Sequence, residues 1–320
     1  MAPAGERELI ERFFAGLTRR RDDVVLGIGD DAALLRPPPA RELAVSTDTL
    51  VAGVHFDAGA DAADVGYKSL AVNLSDLAAM GAEPLWLTLS LTMPVRDDGW
   101  LGKFAGGLGA LADRFDVGLV GGDLSRGPLS ITVQIIGAVP PGAALRRDGA
   151  RAGDDVYVTG QLGCAAFALQ PAAAAAAARH DCRRRLLRPE PRVEAGRALR
   201  GLAHACIDIS DGLITDLGHV LRASGTGACI ELDQLPACAA LRSVADVELR
   251  QRLLLAGGDD YELCFTAATA AAGAVRAVFC DLDLTLTRVG TIVGDAGSGL
   301  HLRHAEGGEF RPGYGGYQHF

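Results

Sequence analysis

The stretch DAADVGYKSLAVNLSDLAAMGAEPLWLTLSLT, residues 61–92, decides the fold that the sequence predicts. Residues 61–80 have the apolar spacing of an α-helix, and residues 85–92 have the composition of a buried β-strand. The same alternation continues on both sides of this stretch. Further strands are predicted at 43–46, 117–120 and 129–137, and further helices within 1–20 and at 97–115. Together these elements complete one α/β unit.

The second half of the chain repeats this alternation after a turn-rich segment. Residues 139–142 read Val-Pro-Pro-Gly and residues 146–153 are polar, which indicates a domain boundary near 148. The alanine run 172–178 is predicted to form a surface helix, because alanine is the best helix former. The sequence therefore predicts a mixed α/β protein of two domains, 1–148 and 149–320. The elements predicted beyond the boundary are strands at 156–159, 206–209, 229–232 and 261–266, and helices at 191–203, at 213–223 and ending near 279.

Composition limits the partners of the protein. With 49% hydrophobic residues, a chain of 320 residues is long enough for two cores. The 31 Lys and Arg against 40 Asp and Glu give a net charge of −9, which argues against nucleic acid or an anionic membrane as the main partner. No apolar run approaches the roughly 20 residues that span a bilayer, and the amphipathic residues 1–20 contain acids, unlike a leader peptide. We expect the protein to lie in the cytoplasm.

The seven cysteines are an odd number and include no Cys-x-x-Cys pair. Their neighbours are mostly apolar, which is typical of reduced thiols in a protein core. Structural zinc needs clustered ligands, so a zinc or catalytic role is not expected for any one of them. The sequence predicts small buried hydrophobic side chains at these positions.

Aspartates fall repeatedly at predicted strand ends or in glycine turns. One such residue is usually a turn or helix-cap residue. Six clusters are different, since carboxylates gathered in one cleft repel one another unless cations neutralise them. Hard oxygen ligands together with glycine turns are what Mg²⁺ and phosphate oxygens need in a binding site, so the pattern indicates a site for several metal ions and a polyphosphate. The clusters contain Asp30 and Asp31, Asp48, Asp76, Asp123, Asp208 and Asp211, and Asp259 and Asp260.

The familiar nucleotide-binding motifs are missing from this sequence. It contains no G-x-x-x-x-G-K-[ST] run, and its lysines are Lys68 and Lys103 alone. It also lacks the glycine-rich loop, V-A-I-K lysine and H-R-D loop of protein kinases. The Gly27-Ile28-Gly29 turn lacks the third glycine of a dinucleotide-binding fingerprint.

Most of these acids lie in six blocks of the sequence: GIGDDAALL (27–35), STDTLVAGVHF (46–56), GYKSLAVNLSDLAAMGAEP (66–84), GGDLSRGPLSITVQIIG (121–137), DISDGLITDLGH (208–219) and GGDDYELCF (257–265). In order, spacing and local sequence, these blocks resemble the bacterial thiamine-monophosphate kinases. The resemblance runs nearly end to end and includes the tail 316–320. The wider superfamily contains aminoimidazole ribonucleotide synthetase, selenophosphate synthetase and a hydrogenase-maturation protein. The resemblance implies an N-terminal α/β domain whose sheet pairs with the same sheet of a second subunit in a homodimer. It also implies a C-terminal α/β domain that closes over the nucleotide.

The resemblance also implies the ligands and the residues that bind them: several Mg²⁺ ions, ATP as co-substrate and thiamine monophosphate as acceptor. The implied magnesium ligands are Asp31, Ser46, Thr47, Asp48, Asp76, Asp123, Asp208 and Asp211. The implied ATP-binding residues are Gly122, Asp123, Arg147 and Ser210. The implied substrate-binding residues are His55, Asp259 and Tyr317.

The chemistry of this reaction requires no general base. The attacking phosphate oxygen is already ionised near neutral pH, so catalysis reduces to positioning and charge neutralisation. We therefore assign no catalytic side chain and expect direct in-line transfer without a phosphoenzyme.

Alternatives remain open from the residues alone. Another ATP-dependent cyclase or synthetase of the superfamily fits the acid pattern, and so does a non-enzymatic sensor of nucleotides or divalent cations. Single residues have plainer explanations too: Arg147 as a solvated charge, His55 as a packing residue and Tyr317 as a loop aromatic. The chain departs from the family at Leu124, where threonine is usual, and at Asp259, where glutamate is usual.

Overall fold

The structure is a computed structural model that describes residues 5–17, 21–170, 176–294 and 299–317. Its internal contacts divide the chain into an N-terminal unit, residues 1–77 and 82–142, and a C-terminal unit, residues 78–81 and 143–320. The predicted mixed α/β class is confirmed, since each unit contains a sheet and helices. The predicted domain boundary at 148 stays a prediction.

The N-terminal unit contains a four-stranded sheet in the order β3-β6-β4-β5. Strands β4 and β5 are parallel, and the other neighbours are antiparallel. Strands β1 and β2 pair separately. The elements are α1 (Glu6–Phe13), β1 (Val24–Leu26), β2 (Leu34–Leu35), β3 (Glu42–Val51), α2 (Ala62–Ala79), β4 (Glu83–Met93), α3 (Asp98–Arg114), β5 (Gly118–Arg126) and β6 (Ser130–Val139).

The sheet of the N-terminal unit has one buried face and one more exposed face. In β6, Ile131 and Val133 are fully buried, whereas the residues that alternate with them are less buried. Such alternation is typical of an antiparallel sheet that is covered on one side. Helices α2 and α3 approach closely, because a Cβ atom at Gly107 would lie 1.9 Å from the carbonyl oxygen of Ala63. The edge strand β3 exposes the apolar Val45.

The C-terminal unit contains a seven-stranded sheet in the order β13-β12-β9-β11-β7-β10-β8. Among the described residues, no helix has the length and apolar character that crossing a bilayer requires. The strands are β7 (Asp154–Thr159), β8 (Ala203–Asp208), β9 (Gly227–Glu231), β10 (Leu263–Ala268), β11 (Leu286–Val293), β12 (Leu300–Arg303) and β13 (Glu309–Phe310). The helices are α4 (Cys164–Ala168), α5 (Ala176–Leu187), α6 (Val193–Ala198), α7 (Leu213–Ser224), α8 (Ala239–Arg242), α9 (Val247–Ala256) and α10 (Ala272–Asp281).

Several predicted boundaries differ from the structure for local physical reasons. The helix predicted at 191–203 ends early at Ala198, because Gly201 turns the chain with a φ of 77°. The strand predicted from Tyr261 begins at Leu263, since Tyr261 has a φ of 50°. The sequence analysis did not predict β11. Of the alanine run, residues 172–175 lie outside the described residues.

Candidate functional site

A cavity of 1050 Å³ in the N-terminal unit brings together residues that were predicted far apart in sequence. The glycine turn 27–31 contributes Asp31, and β5 contributes Gly122 and Asp123. In the turn, the backbone N–H of Asp31 donates to Oδ1 of Asp30 at 2.8 Å. The same cavity is therefore lined by Asp31, which was predicted to bind metal, by Gly122, which was predicted to bind ATP, and by Asp123, which was predicted to bind both.

Glycine is required at position 122 by the geometry of the sheet. Its φ is 150°, and a Cβ atom there would lie 1.8 Å from the carbonyl oxygen of Leu89 in the neighbouring strand β4. A side chain would push β5 away from β4. The carboxylate of Asp123 accepts a hydrogen bond from the hydroxyl of Ser125 at 2.5 Å. A hydroxyl is thus present beside Asp123 although Leu124 replaces the usual threonine.

A second group of predicted metal ligands lies where β3 meets α2. The hydroxyl of Ser46 donates to Oδ2 of Asp76 at 2.5 Å. The backbone N–H of Asp48 donates to the side-chain oxygen of Asn73 at 3.2 Å, and that amide is fully buried. Ser46, Asp48 and Asp76 are therefore gathered by the buried polar face of α2.

Thr47 does not join that group through its side chain. Successive side chains of a strand point to opposite faces, and the residue is exposed between the half-buried Ser46 and Asp48. Its assignment as a metal ligand stays a prediction.

The ring of His55 is oriented by its own loop. Its Nδ1 accepts the backbone N–H of Val51 at 3.0 Å, so the neutral imidazole carries its proton on Nε2. The ammonium of Lys68 donates to the carbonyl oxygen of His55 at 3.4 Å. The substrate-binding prediction for His55 therefore concerns Nε2 as a hydrogen-bond donor.

Three segments of the C-terminal unit are joined by backbone hydrogen bonds around the loop that follows β8. The N–H of Tyr317 donates to the carbonyl oxygen of Asp211 at 3.1 Å, and the N–H of Asp259 donates to that of Ser210 at 2.9 Å. Asp208 ends β8 and is buried. Five predicted site residues, from the metal, ATP and substrate sets, thus form one cluster in this unit.

The loop that carries Asp211 is held by a buried carboxylate that the sequence analysis did not single out. Asp216 accepts the backbone N–H groups of Asp211 at 3.0 Å and of Gly212 at 3.1 Å. Burial in α7 raises the pKa of Asp216 to about 7. Asp216 lies inside the block DISDGLITDLGH, but nothing in its spacing distinguishes it from a surface acid of a helix.

The turn at Asp259 is strained and is held in place by a buried ion pair. Asp259 has a φ of 65° and Tyr261 has a φ of 50°, and such conformations cost on the order of 1–3 kcal/mol each unless the surroundings enforce them. Next to the turn, Glu262 pairs with Arg192 through two hydrogen bonds of 2.7 and 2.5 Å. Glu262 also accepts the hydroxyl of Thr159 at 2.7 Å. Local sequence pattern does not reveal the contact of Arg192 with Glu262, because it joins residues 70 positions apart.

The cavity beside Asp259 is lined by basic and acidic side chains. The carboxylate of Asp259 accepts the hydroxyl of Tyr261 at 3.1 Å. Asp259 lines a cavity of 240 Å³ together with Arg184, Arg185 and Arg188, and also with Glu190, Asp260 and Glu262. Charged groups of both signs therefore lie next to Asp259.

Arg147 is exposed and lies near α7. Its carbonyl oxygen accepts the hydroxyl of Ser224 at 2.9 Å. The pKa of His219 is lowered mainly by burial, with contributions from Arg222 and Arg147, while Asp211 opposes the shift. Arg147 and Asp211 therefore both act electrostatically on one histidine.

The predicted carboxylates do not form a closed metal cage. Among the residues that the structure describes, no three of them lie close enough together to share one ion. Mg²⁺ is usually bound through one or two carboxylates with waters and substrate phosphates completing the octahedron. The donor set of carboxylates and serine hydroxyls suits a hard cation that arrives together with a polyphosphate.

We expect replacement of Asp216 to disturb Asp211 without touching the substrates. Asp216→Ala leaves two loop N–H groups without their acceptor, so activity falls by about tenfold or more and more Mg²⁺ is needed for half-maximal rate. Asp216→Asn keeps an acceptor oxygen and retains most of the activity. The measurement is a Mg²⁺ titration of the rate for both variants. An alanine variant with the parental Mg²⁺ dependence would show that Asp216 does not position Asp211.

Comparison with known proteins gives matches along almost the whole chain. The family model "AIR synthase related protein, N-terminal domain" matches residues 29–139, and the corresponding C-terminal domain model matches residues 151–303. The thiamine-monophosphate kinase of Escherichia coli (strain K12) is 47% identical over 321 residues, covering 99% of this chain and 98% of that protein.

Two solved structures are similar over comparable lengths. Thiamine-monophosphate kinase from Stenotrophomonas maltophilia K279a has a TM-score of 0.85 at 49% identity, covering 92% of this chain and 95% of that one. A structure described as AaThiL complexed with AMPPCP and TMP has a TM-score of 0.75 at 28% identity, covering 99% and 97%.

Proposed function

Because the chain belongs to the AIR synthase related family and, within it, to the thiamine-monophosphate kinases, we propose how its residues carry out the reaction of these kinases. The chain is a phosphotransferase that moves the γ-phosphate of ATP onto the phosphate of thiamine monophosphate, making thiamine diphosphate. The observation that best supports the residue assignment is the convergence of Ser210, Asp211, Asp259 and Tyr317 through backbone hydrogen bonds.

Each unit contributes its own part of the binding machinery. In the N-terminal unit, Asp31 and Asp123 bind metal at the 1050 Å³ cavity, and Gly122 presents its backbone to the phosphates of ATP. Ser46, Thr47, Asp48 and Asp76 bind further metal ions. In the C-terminal unit, Asp208 and Asp211 bind metal, Ser210 and the guanidinium of Arg147 bind ATP, and Asp259 and Tyr317 contact thiamine monophosphate. His55 is the residue of the N-terminal unit that is proposed to contact the same substrate.

The reaction proceeds by positioning and charge neutralisation. The carboxylates named above would hold Mg²⁺, whose positive charge would offset the repulsion between the phosphate groups of ATP and thiamine monophosphate. Asp76 keeps one carboxylate oxygen in a short hydrogen bond with Ser46, which fixes the direction of the carboxylate. Nε2 of His55 donates to the acceptor and holds it in line with the γ-phosphate. No side chain removes a proton, because the attacking oxygen is already ionised.

We further propose a homodimer formed through the exposed face of the N-terminal sheet. Support comes from β3, an edge strand whose Leu43 and Val45 are 48% and 58% exposed. Neighbouring apolar residues on an exposed sheet face are typical of an interaction surface. A cytoplasmic location is proposed because ATP is the co-substrate.

The test of this function is ADP release in the presence of ATP and Mg²⁺ with matched acceptors. Thiamine monophosphate and thiamine differ only in the phosphate that receives the transferred group. We expect ADP release with thiamine monophosphate and none above background with thiamine or without an acceptor. Equal release in all three reactions, or release only with an unrelated acceptor, would contradict the proposal.

We expect Asp259→Ala to weaken binding of thiamine monophosphate by about tenfold, which corresponds to 1.4 kcal/mol. The carboxylate of Asp259 accepts a hydrogen bond from the aminopyrimidine or faces the positive thiazolium ring, and alanine removes either contact. Asp259→Glu keeps the acceptor and is tolerated. The measurement is substrate affinity together with thermal stability.

A matched control separates binding from turn strain. Asp283 also has a positive φ, 49°, but lies in the turn after α10. Asp283→Ala tests the cost of alanine in such a conformation away from the cluster. If both alanine variants lose stability equally and neither loses affinity, Asp259 is only a turn residue.

A further inference from the structure

Three cysteines of the C-terminal unit meet although the sequence separates them widely. Cys164 begins α4, Cys182 lies in α5 and Cys238 immediately precedes α8. Their Sγ atoms all lie within 4.8 Å of one another, and those of Cys164 and Cys182 are 2.8 Å apart. Within the described part of the chain, this is the one set of three histidine, cysteine or acidic side chains that is close enough to share a metal ion.

The surroundings of this cysteine cluster are apolar. The three side chains are between 1% and 3% exposed and belong to the hydrophobic core that also contains Leu162 and Leu241. Single buried cysteines in such a core behave as small hydrophobes. Here, however, three sulfur atoms are gathered at one point of the core, which a purely hydrophobic role does not require.

The spacing of the sulfur atoms suits a bound ion. Thiolate ligands lie about 2.3 Å from a zinc-sized ion, so three of them in a plane around it stand roughly 4 Å apart. The observed upper limit of 4.8 Å accommodates this arrangement. Cys164 and Cys182, whose Sγ atoms are 2.8 Å apart, must separate by roughly 1 Å on the same geometry.

Metal binding is coupled to loss of protons from the cluster. The thiolate and not the thiol is the metal ligand, so an ion that binds Cys164, Cys182 and Cys238 releases their protons.

The neighbouring cavity gives access to the cluster. Cys164 lines the same 240 Å³ cavity as Arg184, Arg185 and Arg188, which gives an ion a path to the first sulfur. Acidic side chains line this cavity as well: Glu190, Asp259, Asp260 and Glu262. When Cu⁺ binds the three thiols as thiolates, three protons leave and the complex has a charge of −2.

The ligand set decides the class of ion. No histidine or carboxylate of the described residues completes a fourth position in this set, whereas structural zinc sites are almost always four-coordinate. Thiolate ligands select soft ions such as Cu⁺. We propose that Cys164, Cys182 and Cys238 form a three-sulfur site for a thiophilic cation, with Cu⁺ as its occupant.

The experiment titrates the reduced, metal-free, full-length protein with Cu⁺ under anaerobic conditions, in competition with a chromophoric Cu⁺ chelator. We expect one tightly bound equivalent. Cys238→Ala and Cys182→Ala each remove a ligand and weaken binding by about 100-fold or more. Cys264→Ala is the matched control, because Cys264 is equally buried in the same core but lies outside the cluster.

Melting temperatures show whether each variant is folded, and a second probe does not depend on the variants. Cd²⁺ added to the parent protein gives an ultraviolet sulfur-to-metal charge-transfer band if the three thiols bind it. Absence of both the band and the Cu⁺ equivalent overturns the proposal, and so does Cu⁺ binding that survives in both cluster variants. A Cys164–Cys182 disulfide in protein that takes up no Cu⁺ after reduction identifies a redox pair and likewise overturns it.

Discussion

Replacement of Asp76 by asparagine is expected to reduce turnover by about three orders of magnitude while leaving the fold intact. Asparagine keeps the shape of the side chain and can still accept the Ser46 hydroxyl bond of 2.5 Å. It loses the negative charge that a hard cation requires. Metal ions contribute several kcal/mol to such reactions, and each 1.36 kcal/mol is about tenfold in rate. The measurement is kcat at saturating ATP and thiamine monophosphate.

Asp64→Asn is the control for this prediction. Asp64 lies in the first turn of the same helix α2, about three turns before Asp76, the partner of Ser46. We expect it to retain parental turnover. Near-normal turnover of Asp76→Asn at moderate Mg²⁺ would remove Asp76 from the metal site, and equal losses in both variants would indicate a general effect on α2.

Glu262→Gln is expected to lower the free energy of unfolding of the C-terminal unit by about 3 kcal/mol, the lower end for breaking a buried ion pair. The side chains of Arg192 and Glu262 are 18% and 4% exposed, so glutamine leaves a largely desolvated guanidinium without its carboxylate. Because Glu262 follows the strained turn, affinity for thiamine monophosphate falls as well. Scanning calorimetry measures the first effect and titration the second.

The exposed Arg146–Asp148 pair is the control for the buried Arg192–Glu262 pair. It has the same two-bonded geometry, but its side chains are 68% and 43% exposed, and exposed pairs contribute little. We expect Asp148→Asn to have the same melting temperature as the parent protein. Similar melting of both variants would show that the Arg192–Glu262 pair does not stabilise the unit.

The sequence predicted the elements with strong periodicity well. The helix predicted at 61–80 is α2 at 62–79, because its apolar and small residues follow helical spacing over its whole length. The position of Asp123 after two glycines was also informative, since Gly122 permits a backbone approach that no other residue allows. Local pattern thus located both the main elements and the turns that carry acids.

Contacts between distant residues could not be predicted in this way. The bonds from Tyr317 to Asp211 and from Glu262 to Arg192 depend on how the sheet of the C-terminal unit orders its strands. The cysteine cluster is the clearest case, since Cys164, Cys182 and Cys238 show no ligand spacing and each is typical of a core residue. Strand β11, which lies between β9 and β7, is a different case, since its sequence LTRVGTIV is rich in β-branched residues and could have been recognised as a strand.

The most direct test of the account is the stereochemical course at the transferred phosphorus. ATP whose γ-phosphate is chiral through oxygen isotopes and sulfur substitution is reacted with thiamine monophosphate, and the configuration of the product is determined. A single in-line transfer between substrates held by metal ions and positioning residues inverts the configuration. We expect inversion. Retention would require a phosphorylated side chain as an intermediate and would contradict the absence of a catalytic nucleophile.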